Sequence, residues 1–262
     1  MIYRTDYHVH SLHSDGKSAP EDYIAPAVAA GLKELGFADH MTLFKGPLNW
    51  SMDKAEAAEF VNHINSLKNN IRDIKVRTGV EVDYFPGMEE ETRKVLKNLD
   101  LDYALGSVHY LGESTVDLGP QFYEGKNIDS LFENYFAHVS AAAASGMFDI
   151  IAHCDLVRIF GFRPSVDPEP AYRKLAISLR MHDMAFELNT NGRNKPVADF
   201  YPDRRFLKIF REEGVPVCVN SDAHNPSRIA QYFDEAYDLL REAGFTEMAV
   251  FEKRKRYMIP FS

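Results

Sequence analysis

The strongest constraint on this chain of 262 residues is where its imidazoles and carboxylates fall relative to its apolar runs. Strand-like runs cover Ile2–Val9, Leu35–Ala38, Val76–Val82, Tyr103–Val108, Ile150–Ala152, Ala185–Leu188 and Val217–Asn220. At or just past their C-terminal ends stand His10 with Asp15, His40, Glu81, His109, His153, Asn189 and the pair Asp222 and His224. Helix-like segments follow most of them, at Pro20–Ala30, Met52–Arg72, Met88–Asn98, Ile128–Ser145, Pro168–His182, Asp203–Glu213 and Arg228–Ala243. Alternating strands and helices predict parallel pairing through right-handed crossovers. In a closed (β/α) barrel the C-terminal strand ends share one face, where such folds keep their chemistry.

Within Met52–Arg72, Ala55, Phe60, Ile64, Leu67 and Ile71 recur at helical spacing, one face of which should be buried. Gly31, Gly146, Gly214 and Gly244 fall just after helical runs, where a C-terminal cap is needed. Met248–Phe251 would make an eighth strand, but its basic continuation Lys253–Arg256 makes it a weak core candidate. Three irregular pieces, Leu43–Ser51, Leu111–Asn127 and Phe160–Pro170, follow ligand-bearing strand ends and should rim the mouth of the site. Leu111–Asn127 exceeds the usual connection length, as lids and binding loops do.

The length and a hydrophobic content of 45% suit one α/β domain spanning residues 1–262. A formal charge of −9 argues against a nucleic-acid surface but not against a phosphorylated small molecule, because bound metals can outweigh distant net charge. Cys154 and Cys218 both lie in apolar strand-like sequence, a usage that predicts a reducing compartment rather than a disulfide framework. The N-terminal MIYRTDYHVH shows no basic leader before an apolar core, and no stretch approaches the ~18 apolar residues of a membrane span. Cytoplasm is the expected setting, with no membrane partner.

His8 and His10, spaced i, i+2 on a strand, point to the same side and can grip one ion. Asp15 follows in HSDG, where Gly16 permits a sharp turn that folds the carboxylate back over the site. His40 closes ADH, Glu81 closes GVE, His109 closes GSVH, and Asp222 and His224 form SDAH. Imidazole with carboxylate suits zinc, manganese or iron, and Glu81 could bridge two ions. Six histidines at ends of one sense, with acids among them, point to a multinuclear metal site and a metal-dependent hydrolase. His63, His138 and His182 fall in helix-like sequence and are expected at the surface or in packing; His13 lies near the site without the same placement. Cys154, in an apolar run, reads as a buried inert thiol, and no GxSxG elbow, P-loop or GxG occurs.

The ordered set HxH, DG, DH, GxE, SVH, HCD and SDAH resembles the PHP (polymerase and histidinol phosphatase) family along the whole chain. FDIIAHCDLVRIFG, FELNTNG and GVPVCVNSDAHNP are similar to its histidinol-phosphate phosphatase branch. The resemblance implies a distorted (β/α)7 barrel, TIM-barrel-like, carrying three metal ions at its C-terminal face. It assigns His8, His10, Glu81 and Asp222 to one ion, Glu81, His109 and His153 to a second, and Asp15, His40 and His224 to a third. It implies a phosphomonoesterase, favouring L-histidinol phosphate, with two to three divalent transition-metal ions and attack on phosphorus by a hydroxide held between two of them. The loop LGESTVDLGPQFYEG lacks the Trp-Pro-Phe-type sequence associated with that branch.

A phosphate ester also calls for a fork-shaped donor. Arg158 follows the His153 strand end and Arg193 follows Asn189, which makes both candidates for a phosphate clamp, with Lys195 a third. The general acid stays open among Asp15, His40, Asp222 and His224. Two other readings compete: a PHP-family phosphoesterase for nucleotides or cyclic phosphodiesters, and a non-catalytic metal-binding accessory module. The module predicts missing ligands, and none is missing.

Overall fold

The computed structural model describes residues 2–44 and 48–260, so residues 45–47 of the Leu43–Ser51 loop lie outside the described residues. The chain runs β1 (Arg4–Asp6), a 3-10 turn (Pro20–Tyr23) leading into α1 (Ile24–Ala29), β2 (Leu32–Phe37), β3 (His40–Met41), α2 (Lys54–Asn70), β4 (Lys75–Thr78), β5 (Glu81–Asp83) and α3 (Glu89–Lys97). It continues through β6 (Leu105–Ser107), a small hairpin of β7 (Tyr110–Leu111) and β8 (Ser114–Thr115), α4 (Ile128–Ala144), β9 (Ile150–Ile151), α5 (Glu169–Met181) and β10 (Ala185–Asn189). The last elements are α6 (Leu207–Glu212), β11 (Val217–Asn220), α7 (Phe233–Glu242) and the antiparallel pair β12 (Glu247–Glu252) and β13 (Lys255–Pro260).

Parallel pairing runs in the orders β1-β2-β4 and β3-β5-β6-β9-β10-β11. β2 with β3, and β4 with β5, are successive pieces of one strand path, so the ring has seven positions. Across the interruptions Ala38 N donates to Val9 O (2.9 Å), Gly79 N to Phe37 O (2.8 Å) and Glu81 N to Asp39 O (3.1 Å). The ring closes where His10 N donates to Ala223 O (3.0 Å) and Ala223 N to His8 O (3.2 Å). This is the distorted seven-stranded barrel. The buried Tyr103 hydroxyl donates to Tyr7 O at 2.7 Å; a Cβ on Gly36 would stand 2.3 Å from that hydroxyl and one on Gly79 2.3 Å from the Tyr103 ring.

The helices wrap the ring as expected. α2 buries Ala57, Phe60, Val61, Ile64 and Leu67 and starts in a capping box, with Asp53 accepting from Glu56 N and Glu56 accepting from Asp53 N. Gly31, Gly146, Gly214 and Gly244 all take positive φ at helix ends. A second apolar cluster, Tyr7, Ala38, Tyr103, Leu105, Ile150, Ala185, Cys218 and Phe251 among its members, contains strand-path residues and no helix residue: it is the lumen of the barrel.

Met248–Phe251 does not join the wall as an eighth strand. β12 and β13 form a hairpin that plugs the N-terminal end of the barrel, with Phe251 1% exposed and edge-on to Tyr7 at 6.0 Å. The basic run finds acidic partners at the starts of wall strands: Arg254 pairs with Asp149, Arg256 with Asp183 (2.6 Å), and Lys253 N donates to Asp102 (3.2 Å). Truncating the plug should therefore be costly. Phe251→Ala is expected to lower unfolding stability by about 3–5 kcal/mol, read from the urea midpoint at constant m-value.

Candidate metal centre

Each wall strand delivers a polar residue at its C-terminal end. In the β3–β5 ladder His40 stands opposite Glu81, and β5 in turn pairs with β6, which leads into His109. β9 leads into His153, and β11 into Asp222 and His224. Asp222 adopts φ 50°, a left-handed conformation tolerable for aspartate, beside the ring closure. Asp15 arrives through a tight turn: Gly16 N donates to Ser11 O, and a Cβ on Gly16 would stand 2.3 Å from His10 O, so close backbone approach is what demands glycine. Asp39, fully buried, holds this turn by accepting from Ser11 N (2.8 Å) and Ser14 Oγ (2.7 Å).

The nine residues singled out as ligands converge. Four groups have possible ligand atoms within 4.8 Å of one another: His10, Asp15, His40 and His224; His8, His10 and Asp222; His8, Glu81 and His153; His40, Glu81 and His109. Glu81 is central, with Oε2 3.1 Å from His8 Nε2 and 2.9 Å from His40 Nδ1, and Oε1 2.9 Å from His153 Nε2 and 3.7 Å from His109 Nε2. Asp15 Oδ2 lies 3.2 Å from His224 Nε2, and Asp222 Oδ1 lies 3.3 Å from His10 Nε2. Buried atoms without a hydrogen-bond partner gather here: His8 Nε2, both ring nitrogens of His10, Asp15 Oδ1, Glu81 Oε2 and His153 Nδ1. Leaving such groups unmet costs about 1–3 kcal/mol each. Imidazole nitrogens and carboxylate oxygens in this density fit divalent cations.

The charges agree. Burial would raise the Glu81 carboxyl, but His40, His8 and His109 outweigh it and hold it well below its ordinary value. Burial is likewise overcome at Asp222, whose carboxyl His8, His10 and His224 hold well below its ordinary range. Against burial, Asp83 and Glu81 hold His109 at about 10, and Asp15 and Asp222 hold His224 at about 9. His10 moves the other way: burial and its neighbours His224 and His40 pull it down to about 3. It therefore stays neutral, the form that donates a lone pair to a metal.

Three acids behind the cluster were missed from sequence. Glu187 accepts from His8 Nδ1 (2.7 Å), His153 N (2.8 Å), Asn189 Nδ2 (2.9 Å) and Asn220 Nδ2 (2.9 Å). Asp83 accepts from His109 Nδ1 (2.7 Å), and Asp39 holds the Asp15 turn as described. The hydrogen bonds from His8 and His109 turn the other ring nitrogen, Nε2, towards Glu81. The signal was there: Glu187 is an acid inside an otherwise apolar strand, and Asp83 follows Glu81 at i+2. Cys154 is buried and burial pushes its thiol up, so it is inert. His13 and His63 contact each other at 2.8 Å, and His63 also bonds to Glu21. His138 bonds to Asn134 O on its own helix.

The cluster opens into a cavity of about 410 Å³. Among the described residues its cationic lining is Lys17, Lys195 and Arg228; the clamp candidates Arg158 and Arg193 are not part of that lining. Arg158 is 3% exposed and engaged elsewhere, with Asp155 at 2.7 Å, Asp199 at 3.1 Å and Asp203 at 3.7 Å. Arg193 lies over the Phe200 and Tyr232 rings, donates to Ala198 O and pairs with Glu235 at 3.4 Å. The third candidate, Lys195, does line the cavity. Lys17 and Arg228 were not foreseen, because nothing in their spacing tells where the loops bring them.

A barrel whose C-terminal rim gathers histidines and carboxylates around one buried glutamate defines a metal-dependent hydrolase class. The chain belongs to the PHP domain family, whose profile matches residues 6–191. It is 36% identical over 248 residues to a "Probable histidinol-phosphatase" of Deinococcus radiodurans, covering 91% of this chain and 93% of that protein. It is 24% identical to the histidinol-phosphatase of Lactococcus lactis, covering 96% of each. The fold is similar to the crystal structure of a histidinol phosphate phosphatase from Lactococcus lactis complexed with zinc, L-histidinol and phosphate, with a TM-score of 0.86, 23% identity and coverage of 98% of this chain and 100% of that one.

Two outcomes follow for residues behind the cluster. Glu187→Gln should weaken metal retention about 10–100-fold, measured by elemental analysis along a chelator titration, while His138→Ala leaves it unchanged. Arg158→Ala leaves Asp199 paired with Arg204 and Asp203 with Arg163 and Arg205 but strips the fully buried Asp155 of its guanidinium, and should destabilise the fold by about 3–5 kcal/mol, seen as a lowered denaturation midpoint.

Proposed function

We propose that this protein is a metal-dependent phosphomonoesterase that converts L-histidinol phosphate and water to L-histidinol and phosphate, a step of histidine biosynthesis. The observation that carries the reading is one cavity bordered by the nine-residue metal cluster and by three cations, Lys17, Lys195 and Arg228. The full-length similarity to histidinol-phosphatases supports the substrate. Two to three ions of zinc, manganese or iron would be held by His8, His10 and Asp222, by His109 and His153, and by Asp15, His40 and His224, with Glu81 shared. When bound, such ions draw charge from phosphoryl oxygens and acidify water.

The side chains do the rest. The described lining of the cavity holds no serine, threonine or cysteine, and on this reading the attacking oxygen is that of water. The water oxygen bonds to phosphorus, the ester P–O bond breaks, and the departing alkoxide takes a proton. Lys17, Lys195 and Arg228, which line the same cavity, neutralise the phosphate dianion. Arg228 is positioned by donating to Asn194 Oδ1 at 3.0 Å. Two buried, unpaired thiols are consistent with a cytoplasmic setting, and no described helix is long and apolar enough to cross a membrane.

Chelator treatment should abolish phosphate release, and zinc, manganese or iron should restore it. In a screen across amino-alcohol, sugar and nucleotide phosphates, L-histidinol phosphate should give the highest kcat/KM; a nucleotide ester at the head of that ranking would refute the assignment. Arg228→Ala should lower kcat/KM on the order of 10²–10³ with metal content intact, and Arg228→Lys should recover part of it.

A further inference from the structure

The main cavity adjoins a second pocket of about 250 Å³ that shares Asp15, His40, His109 and Asp117 with it. Its remaining wall is Trp50, Thr115 and Leu118. The two spaces differ in charge. Among the described residues Lys17, Lys195 and Arg228 line only the main cavity and no lysine or arginine lines the second pocket, whose loop wall carries the carboxylate of Asp117 at the boundary of the two spaces. A phosphate ester spanning both would place its dianion among the cations and its alcohol portion in the second pocket.

Asp117 is not a loose loop residue. Its neighbour Val116 is fully buried, and Val116 N donates to His109 O at 2.8 Å, which ties the loop to the metal cluster. The buried Tyr123 hydroxyl donates to Val116 O at 3.0 Å and to Val157 O at 2.9 Å, fixing the same segment from the other side. Trp50, the chain's single tryptophan, stands edge-on to His40 (5.2 Å, 86°) and close to parallel with Tyr110 (6.4 Å, 23°). A fixed carboxylate beside an indole favours an organic cation, by charge-assisted hydrogen bonds to the acid and cation–π attraction to the ring.

The geometry points to the second pocket as a leaving-group subsite for a protonated amine or imidazole, with Asp117 as the acceptor and Trp50 as the aromatic wall. The inference rests on the phosphomonoesterase reading above and adds the residues that select the alcohol. It also accounts for a loop whose sequence departs from the Trp-Pro-Phe type: here specificity comes from an acid on that loop and an indole from another.

The test uses the full-length, metal-loaded protein and its Asp117→Asn and Asp117→Glu variants. The measured quantity is the ratio of kcat/KM for L-histidinol phosphate to that for p-nitrophenyl phosphate, whose leaving group carries no cation. Asp117→Asn should reduce this ratio about 10–100-fold, the worth of one charge-assisted hydrogen bond, chiefly through KM, and Asp117→Glu should recover part of it. Trp50 fluorescence titrated with L-histidinol should saturate in the parent protein and require about 10–100-fold more ligand in Asp117→Asn. An unmoved ratio together with an unmoved titration midpoint overturns the subsite. If the parent protein cleaves p-nitrophenyl phosphate but not L-histidinol phosphate, the substrate assignment fails instead, and the fluorescence titration alone then decides the subsite: Asp117-dependent binding of the amine upholds it, and its absence overturns it.

Discussion

The site depends on keeping one carboxylate charged inside the barrel rim. Glu81 is 1% exposed and has imidazoles of four other strand ends around its two oxygens. A carboxylate buried without compensation costs several kcal/mol, so the position is tolerable only if positive charge is held against it from several directions. A parallel barrel does that: consecutive strands bring their C-terminal ends to the same height, and register places His40 directly opposite Glu81. Glu187 repeats the device one step back. A single carboxylate there joins His8 on the first strand, the His153 backbone after the fifth and Asn220 on the last, so ligand orientation and ring closure share one set of hydrogen bonds.

The opposite end of the barrel solves a packing problem. Seven strands with glycines at 36 and 79 leave room in the lumen for the whole Tyr103 ring, and the hydroxyl that enters with it must be satisfied; Tyr7 O and Phe37 O do so. The β12–β13 hairpin then closes the floor with Phe251 and matches its arginines to acids that begin the wall strands. The division is physical. Apolar burial and ion pairs outside the ligand set stabilise the floor, leaving the rim free to hold buried polar atoms without partners in the chain.

Much of this was legible in the sequence because strand geometry is local. Period-two alternation places His8 with His10, and a strand-to-helix pattern implies parallel ends, so ligand convergence followed from reading order alone. Asp83 and Glu187 obeyed the same alternation and could have been read the same way. Other features depend on contacts between distant segments. The run Val76–Val82 is interrupted at Gly79, against which Tyr103 packs from more than twenty residues downstream, and the hairpin that replaces an eighth strand has its turn held by Asp102, Asp149 and Asp183. Lys17 and Arg228 reach the cavity through loops whose course no periodicity predicts.

Arg158, whatever it does at the site, is held by the turn that follows β9. The segment HCDLVR turns sharply after β9, and Asp155 points into the protein rather than the cavity, accepting from the Tyr172 hydroxyl (2.5 Å) and from Asp203 N (2.8 Å). Burial raises the Asp155 carboxyl, so a cation must be held beside it for the charged form to persist there. Arg158, three residues on and within a single 3-10 turn, is the group that can reach, and Asp199 and Asp203 complete its fork. The guanidinium therefore secures the turn from which His153 projects. Lys17, Lys195 and Arg228 are the cations among the described residues that line the cavity itself. An acidic chain can thus present a cationic wall at one place: its arginines are largely neutralised by local acids, and the few cations left facing the cavity set the field there.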